Sequence, residues 1–279
     1  MINWDDLKYL ARLAETGSLS GAARLLGVEH ATVGRRIAAL EDAMGTRLVD
    51  RRGGRYTLTE LGLRAVAEAQ RMDEAALAVE RIGLASDAVA PVEISVTTPP
   101  TIASELVVPR LPKFLADHPG IRLRLIPQSR NLSLTRGEAD VALRLARPDA
   151  PALTIRRLGQ LVYGLFAAPG ASEPPPAIVG LEDGMADLPQ QHWLERIYAG
   201  RPIAFRSNDL TLQCAAVRAG MGVAALPVFL GESSGLVRVF AGEQIGRDIW
   251  LTYHEDLRSS PRVAAVTQFL VECLKGAIE

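Results

Sequence analysis

The stretch Ser18 to Leu40, SLSGAARLLGVEHATVGRRIAAL, decides the reading of this 279-residue chain. Ala22, Ala23 and Leu26 give it a first apolar face. Gly27 then ends that run, because glycine enters a left-handed helix terminus without a Cβ penalty. A second helix follows at once, with Val33, Ile37 and Leu40 separated by four and three residues and so on one side. His30, Thr32, Arg35 and Arg36 occupy the other side. Two helices joined by a turn of a few residues, with small residues where they cross, make the pattern of a helix-turn-helix. The second helix of such a motif fits the major groove of DNA, which is wide enough to admit one. A plain helical hairpin has the same spacing, so the flanking segments must decide between the two.

Downstream, Leu40-Glu41, Met44-Gly45 and Leu48 close the second helix, and Arg51-Arg52-Gly53-Gly54-Arg55 leads into Tyr56-Thr57-Leu58-Thr59. Two short extended runs around a Gly-Gly turn predict a β-hairpin wing. Arg51, Arg52 and Arg55 would there meet phosphates beside a groove. For Arg51 the alternative is an ion pair with Asp50 or Glu41. Upstream, Asn3 to Thr16 reads as a helix capped by Asn3 or Asp5, with Trp4, Leu7, Leu10, Ala11 and Ala14 on its buried face. Its expected role is to complete a three-helix core with Leu25, Ile37 and Leu40.

On these residues the chain resembles the LysR-type transcriptional regulators. The resemblance is carried by Gly17-Ser18-Leu19-Ser20-Gly21-Ala22-Ala23-Arg24-Leu25-Leu26, a second helix running to Ile37 and Leu40-Glu41, Gly45 with Leu48, and Thr57-Leu58-Thr59 with Gly62. It extends over essentially the whole chain. It implies an N-terminal all-α winged helix-turn-helix, a linker helix that forms the dimer, and a C-terminal two-lobed α/β effector domain of the periplasmic-binding-protein type. The family usually opens its recognition helix with Ser-Gln-Pro/Ser-Ala and a later Ser. Here those places hold Glu29-His30-Ala31-Thr32 and Gly34, so His30 replaces the family's frequent base-reading Gln. The expected DNA-binding residues are His30, Ala31, Thr32, Arg35, Arg36, Arg51, Arg52 and Arg55.

A long helix capped by Thr59 is predicted to run from Leu58 to about Ala85. Leu58, Leu61, Ala65, Ala69, Met72, Ala76, Val79 and Gly83 recur at three- and four-residue steps along it, a heptad-like stripe of mostly small residues. Arg64, Glu68, Arg71, Glu74, Glu80 and Arg81 make its other faces polar. The stripe from Leu61 to Val79 either packs on its own domain or meets a second chain as a dimerisation seam. The resemblance implies the seam, in a homodimer or homotetramer. The expected division is therefore 1–58 for the winged helix-turn-helix, 59–85 for the linker helix, 86–91 for a hinge and 92–279 for the effector domain. Within the last, one lobe takes about 92–160 and 255–279 and the other about 161–254.

After Pro91 the pattern changes to strands alternating with helices, which implies a parallel sheet with right-handed crossovers. Strands are expected at Val92 to Val96, Ile121 to Leu125 and Asp140 to Arg144. Further strands are expected at Leu161 to Ala168, Ile203 to Arg206, within the glycine turn and strand Gly220 to Pro227, at Leu236 to Phe240 and at Ile249 to His254. Helices are expected at about Thr101 to Asp117, Leu132 to Gly137, Asp209 to Arg218 and Pro261 to Lys275. Ligands of open α/β sheets bind outside the carboxyl ends of the strands, near helix N-termini. Thr98, Pro99, Thr101, Gln128, Ser129 and Asn208 fall at such places. Hydroxyls beside unpaired N–H groups suit a carboxylate, whereas Glu105, in the first turns of the same helix, complements its dipole and argues against an anion. The expectation between the lobes is therefore a small polar effector, anionic or neutral. The alternative for Thr98 or Thr101 is a mere helix cap.

The net charge of −1 gives no overall basicity. Between Arg35 and Thr57, however, six arginines face Glu41, Asp42 and Asp50, and a local patch is what nucleic acid requires. Met1 to Leu7 lacks the basic and apolar regions of a signal peptide, and no apolar run reaches the roughly 18 residues of a membrane span. Cys214 and Cys273 are expected as buried thiols in a reducing cytoplasm. His30, His118, His192 and His254 fall in separate elements, and His254-Glu255-Asp256 alone is a weak cluster. No nucleophile elbow, P-loop or dinucleotide fingerprint is present. No catalytic residue, metal or cofactor is therefore expected. The competing reading is a small-molecule binding protein whose N-terminal helices serve only assembly.

Overall fold

Where Leu10, Leu13, Ala22, Ala23, Val33, Ile37 and Leu40 close on one another, three helices meet. In this computed structural model they are α1 (Trp4–Thr16), α2 (Leu19–Leu26) and α3 (His30–Met44). The structure describes residues 2–51, 56–85, 91–128, 134, 139–150, 152–172 and 175–279. It divides into two units, Met1–Glu80 and Arg81–Glu279. Asn3 caps α1 by accepting the Asp5 N–H at 3.1 Å, and Ser18 caps α2 by accepting that of Gly21 at 3.1 Å. Gly27 takes φ +65°, the left-handed state that lets α3 start three residues later. Two expected core positions fail. Trp4 is 70% and Leu25 59% exposed. In α1 the packed side begins one turn later, at Leu7 and Leu10, and α2 turns the small Ala22 and Ala23 inward, so the bulky Leu25 is left outside.

Strands β1 (Val49–Asp50) and β2 (Thr57–Leu58) pair antiparallel with Val49 opposite Leu58. The expected wing turn, with Arg52, Gly53, Gly54 and Arg55, lies outside the described residues. Helix α4 (Glu60–Ala85) starts two residues after the expected Leu58, which belongs to β2. Thr59 donates to the Arg47 carbonyl at 2.9 Å and accepts the Gly62 N–H at 3.0 Å, tying cap to wing. A Cβ on Gly62 would collide with the Leu48 carbonyl, so only glycine lets α4 start against β1. The expected hinge, 86–91, is described only at Pro91.

The second unit holds a seven-stranded sheet. Strands β3 (Val92–Thr98), β4 (Ile121–Pro127) and β5 (Val141–Arg144) are parallel, with β3 in the middle. Strand β11 (Ile245–His254) lies antiparallel to β5 and along β6 (Leu153–Ala167). The far half of β6 carries β9 (Ala224–Pro227) and β10 (Val237–Arg238). Thus β6 and β11 serve both halves. Helix α10 (Pro261–Leu274) packs Val263, Val266 and Leu270 into the core with Ile94, Val96 and Leu143. A second core gathers Phe166, Val179, Cys214, Val217 and Leu226.

The expected helix from Thr101 is interrupted. It begins as α5 (Pro100–Ile102), passes through a π turn at Ala103–Val107 and a 3₁₀ turn at Val108–Arg110, and resumes as α6 (Leu111–Asp117). Pro109 and Pro112 lack the N–H groups a continuous helix would use. The sequence reading missed β7 (Ile178–Gly180) and α7 (Pro189–Ile197), and it gave β6 only its second half. Strand β7 pairs in parallel with β8 (Ile203–Arg206). Helices α8 (Leu210–Arg218) and α9 (Val228–Ser233) complete this half. The expected helix at 132–137 lies outside the described residues except for Leu134.

Candidate functional site

In the first unit, the exposed edge of α3 is built by what its other side must bury. Val33, Ile37 and Leu40 are at most 2% exposed, which turns His30, Ala31 and Arg35 into solvent and leaves Thr32 half-buried. The first turn of α3 has no side-chain cap from Glu29, whose carbonyl instead accepts the Thr32 N–H at 2.9 Å. Arg36 is differently employed. Its guanidinium lies 3.1 Å from the buried Asp6 carboxylate and 5.7 Å from the centre of the Tyr9 ring, which locks α3 to α1.

Arg51 follows its alternative reading. It sits 3.0 Å from Glu41, whose side chain is only 7% exposed. The other Glu41 oxygen accepts the Leu48 and Val49 N–H groups at 2.8 and 3.0 Å. One carboxylate thus fastens α3 to the first strand of the wing, and Arg51 neutralises it. Arg52 and Arg55 lie outside the described residues.

Along α4 the expected seam divides. Ala69 is 3% exposed and Val66 8%, so both pack within their own unit, and Arg12 of α1 approaches Asp73 at 3.9 Å. Ala69 is therefore corrected from seam to core, since one turn of α4 rests on the three-helix bundle. Leu61 and Val79 are 45% and 68% exposed, Ala76 is exposed, and Ala65 and Met72 are half-buried.

In the second unit a cavity of about 400 Å³ opens at the carboxyl ends of β3 and β5. Of the expected residues, Pro99, Thr101, Gln128 and Asn208 line it. Thr98 does not. Strand alternation gives its place to Thr97, and the Thr98 hydroxyl is enclosed without a partner among the described residues. Ser129 lies outside the described residues. The register beneath the cavity is fixed by Asp140, which accepts from the Ser95 hydroxyl at 2.6 Å and its N–H at 2.7 Å.

The sequence reading missed Arg144, Tyr163, Gln190 and Arg247 in the same wall. Arg144 had a signal: a charge ending the apolar strand Val141–Arg144. Arg247 had none, because only antiparallel pairing brings it opposite Leu161. Its guanidinium donates to the Leu145 carbonyl at 3.3 Å. Burial pushes the Tyr163 phenol above its ordinary range while Arg247 pulls it the other way, so it stays a neutral donor. Asp209 accepts the Thr211 N–H at 2.7 Å and so caps α8. Arg144, Arg247 and Asp209 are the charged residues of the lining. Cys214 and Cys273 are buried free thiols. No helix among the described residues is long and apolar enough to cross a membrane.

A winged helix-turn-helix and a separate α/β unit with a cavity of mixed polar and apolar lining define a DNA-binding regulator with a ligand-binding domain. Residues 4–63 match the family model described as bacterial regulatory helix-turn-helix protein, lysR family, and residues 92–275 match the LysR substrate binding domain. The chain belongs to the LysR family of transcriptional regulators. It is 29% identical over 273 residues to the Mau operon transcriptional activator of Paracoccus denitrificans, covering 97% of this chain and 96% of that one. Its fold matches full-length CbnR in complex with target DNA, with TM-score 0.59 and 20% identity over 98% of this chain and 100% of CbnR. It also matches full-length LysG of Corynebacterium glutamicum with bound effector Arg, with TM-score 0.54 and 20% identity over 100% of both chains.

Proposed function

We propose that this regulator reads operator half-sites as a homodimer or homotetramer and that a small anionic metabolite, bound in the cavity, controls it. The residues 1–58 serve DNA, helix 59–85 assembly, 86–91 a hinge, and the two lobes of 92–279 the effector. His30, Ala31, Thr32 and Arg35 reach bases, while Arg52 and Arg55 hold phosphates. Arg36 and Arg51 act through Asp6 and Glu41, shaping the surface rather than reading it. Thr101, Gln128, Ser129 and Asn208 take the effector's polar groups, with Pro99 at the rim. The protein acts by binding rather than catalysis, and in the cytoplasm, where DNA is found and thiols stay reduced.

The observation that carries this is the exposed edge His30 to Arg35, held rigid by a core on its other face. CbnR with its target DNA and LysG with its bound effector support combining the two activities in one chain. The test is footprinting on the DNA upstream of the protein's own gene, with and without small carboxylates. Protection of paired half-sites that changes with a carboxylate is the expected result. Binding of carboxylates with no protection of any DNA would mean that the helices serve only assembly.

A further inference from the structure

Gln190 and Trp193 stand one turn apart on α7, and each is only 4% exposed. Residues three apart on a helix are neighbours on one face. Gln190 lines the cavity, and its amide oxygen is enclosed with no hydrogen-bond partner among the described residues. The Trp193 indole nitrogen, which can only donate, is enclosed and unpartnered in the same way. Buried polar groups are nearly always paired. One helix face that carries both an unserved acceptor and an unserved donor, the first of them in a cavity wall, points to a partner from outside the chain.

The polar groups around this face are employed by the fold. Gln191 accepts the Leu181 N–H at 2.8 Å and donates to Glu195 at 2.8 Å. The Gln191 and His192 N–H groups bond the Leu188 carbonyl at 2.9 and 3.3 Å, so the first turn of α7 asks for no anion. The lining that leads into α7 is Leu181, Met185 and Leu188, all apolar. An ammonium would lose its hydration against these residues and gain no countercharge from them. A carboxylate would meet the Gln190 oxygen as acceptor against acceptor. A hydroxyl gives one proton and takes another, so it serves both atoms. The last torsion of a glutamine side chain is broad, which lets the amide oxygen swing towards a donor in the cavity at little cost.

We propose that the effector carries a hydroxyl that seats against α7, donating to the Gln190 amide oxygen and accepting from the Trp193 indole N–H. This rests on the cavity being the effector site, and it names a group that the effector bears besides its charge. The hydroxyl is read by α7, away from the strand ends that hold Thr97 and Arg144.

The test is calorimetry on the full-length protein with propionate, butyrate and valerate carrying a terminal hydroxyl. Each is set against its plain acid, its terminal methyl ether and the methyl esters of all three. At least one hydroxy acid is expected to bind roughly ten-fold or more tighter than both its plain acid and its ether, because a site built around a hydroxyl rejects analogues that lack it. Gln190→Met and Trp193→Phe, which keep the volume, should each weaken that hydroxy acid about five-fold and leave the plain acid within about two-fold. Hydroxy and plain acids that bind alike overturn the hydroxyl and give the two atoms to a buried water. An ether as tight as its hydroxy acid overturns the donation to Gln190. A hydroxyl preference unchanged in the folded Gln190→Met and Trp193→Phe variants overturns this seat alone. Binding that survives Leu210→Trp, which fills the cavity, overturns the cavity itself. Esters that bind where acids do not overturn the anion, and the same comparison among the esters then decides the hydroxyl. Absence of binding by every compound overturns the hydroxyl as well.

Discussion

At the scale of single residues, neighbouring arginines have different work because of what lies behind them. Arg35 is exposed on the edge of α3, whereas Arg51 is spent on the buried Glu41. Arg35→Ala should relax discrimination between operator and mismatched DNA by about 1–3 kcal/mol, the worth of a bidentate base contact. Equal weakening on operator and random DNA in a binding titration would make Arg35 a phosphate contact. Arg51→Ala should leave the salt dependence of DNA binding unchanged, because an arginine already paired releases no counterion from DNA. Its loss should cost about 1 kcal/mol or less, since Arg51 is part-exposed. Glu41→Ala should cost more, because it strands the Leu48 and Val49 N–H groups, at about 1–3 kcal/mol each. Urea unfolding that ranks the two variants the other way would make the ion pair, not the backbone clamp, the chief role of Glu41. Cys273 adds a pH dependence. Burial pushes its thiol from 9.0 up to about 11, so the folded state holds a proton that the unfolded chain gives up. Its contribution is complete below about pH 9 and is lost as the pH rises to about 11. Thiol-reactive probes should therefore leave native Cys273 unlabelled at pH 7.5 and label it in denaturant.

Single elements were legible where one periodicity governed a whole helix. The faces of α2 and α3 followed from Ala22, Ala23, Val33, Ile37 and Leu40, and Gly27 from its turn. The same spacing misjudged Trp4 and Leu25, because periodicity fixes a side of a helix but not where its neighbour stops covering it. In α4 a single stripe serves two environments. Ala69 is covered by its own unit, while Ala76, two turns on, is exposed. The two positions should thus answer differently to one substitution. Ala76→Glu should place charge in a helix–helix seam and release monomers on a sizing column, with the melting of the N-terminal unit unchanged. Ala69→Glu should instead lower that melting temperature, since it buries a carboxylate beside apolar groups. If Ala76→Glu keeps its assembly state, α4 beyond Asp73 is not the seam. Helix α7 and strand β7 escaped the sequence reading for a related reason. They are short, and their burial comes from β8, β9 and β11 rather than from a pattern of their own.

At the scale of the whole molecule, the cavity was legible as a place but not as a chemistry. Strand ends and helix starts located Pro99, Thr101, Gln128 and Asn208, because in an α/β sheet those ends gather along one side. Arg247 and Gln190 come to the same wall from far along the chain beyond Thr97, through antiparallel pairing and helix packing that no local spacing encodes. The division of the chain has a thermodynamic consequence. The two units have separate cores, one around Leu10, Ile37 and Leu40 and the other around Ile94, Leu143 and Leu251. Domains with separate cores unfold as separate cooperative units unless a large interface couples them. Calorimetric melting of the full chain should therefore resolve two transitions. A carboxylate that binds the cavity adds RT ln(1 + [L]/Kd) to one of them, about 2.7 kcal/mol at a hundred-fold excess over Kd. A shift of roughly 5–11 °C is expected for a unit of this size, at about 2–4 °C per kcal/mol. Operator DNA should raise the other transition instead, through the exposed edge of α3. A single transition raised equally by both would mean that the units fold as one. The carboxylate raising only the transition that Ala69→Glu lowers would place its site in the N-terminal unit and remove the cavity from the mechanism.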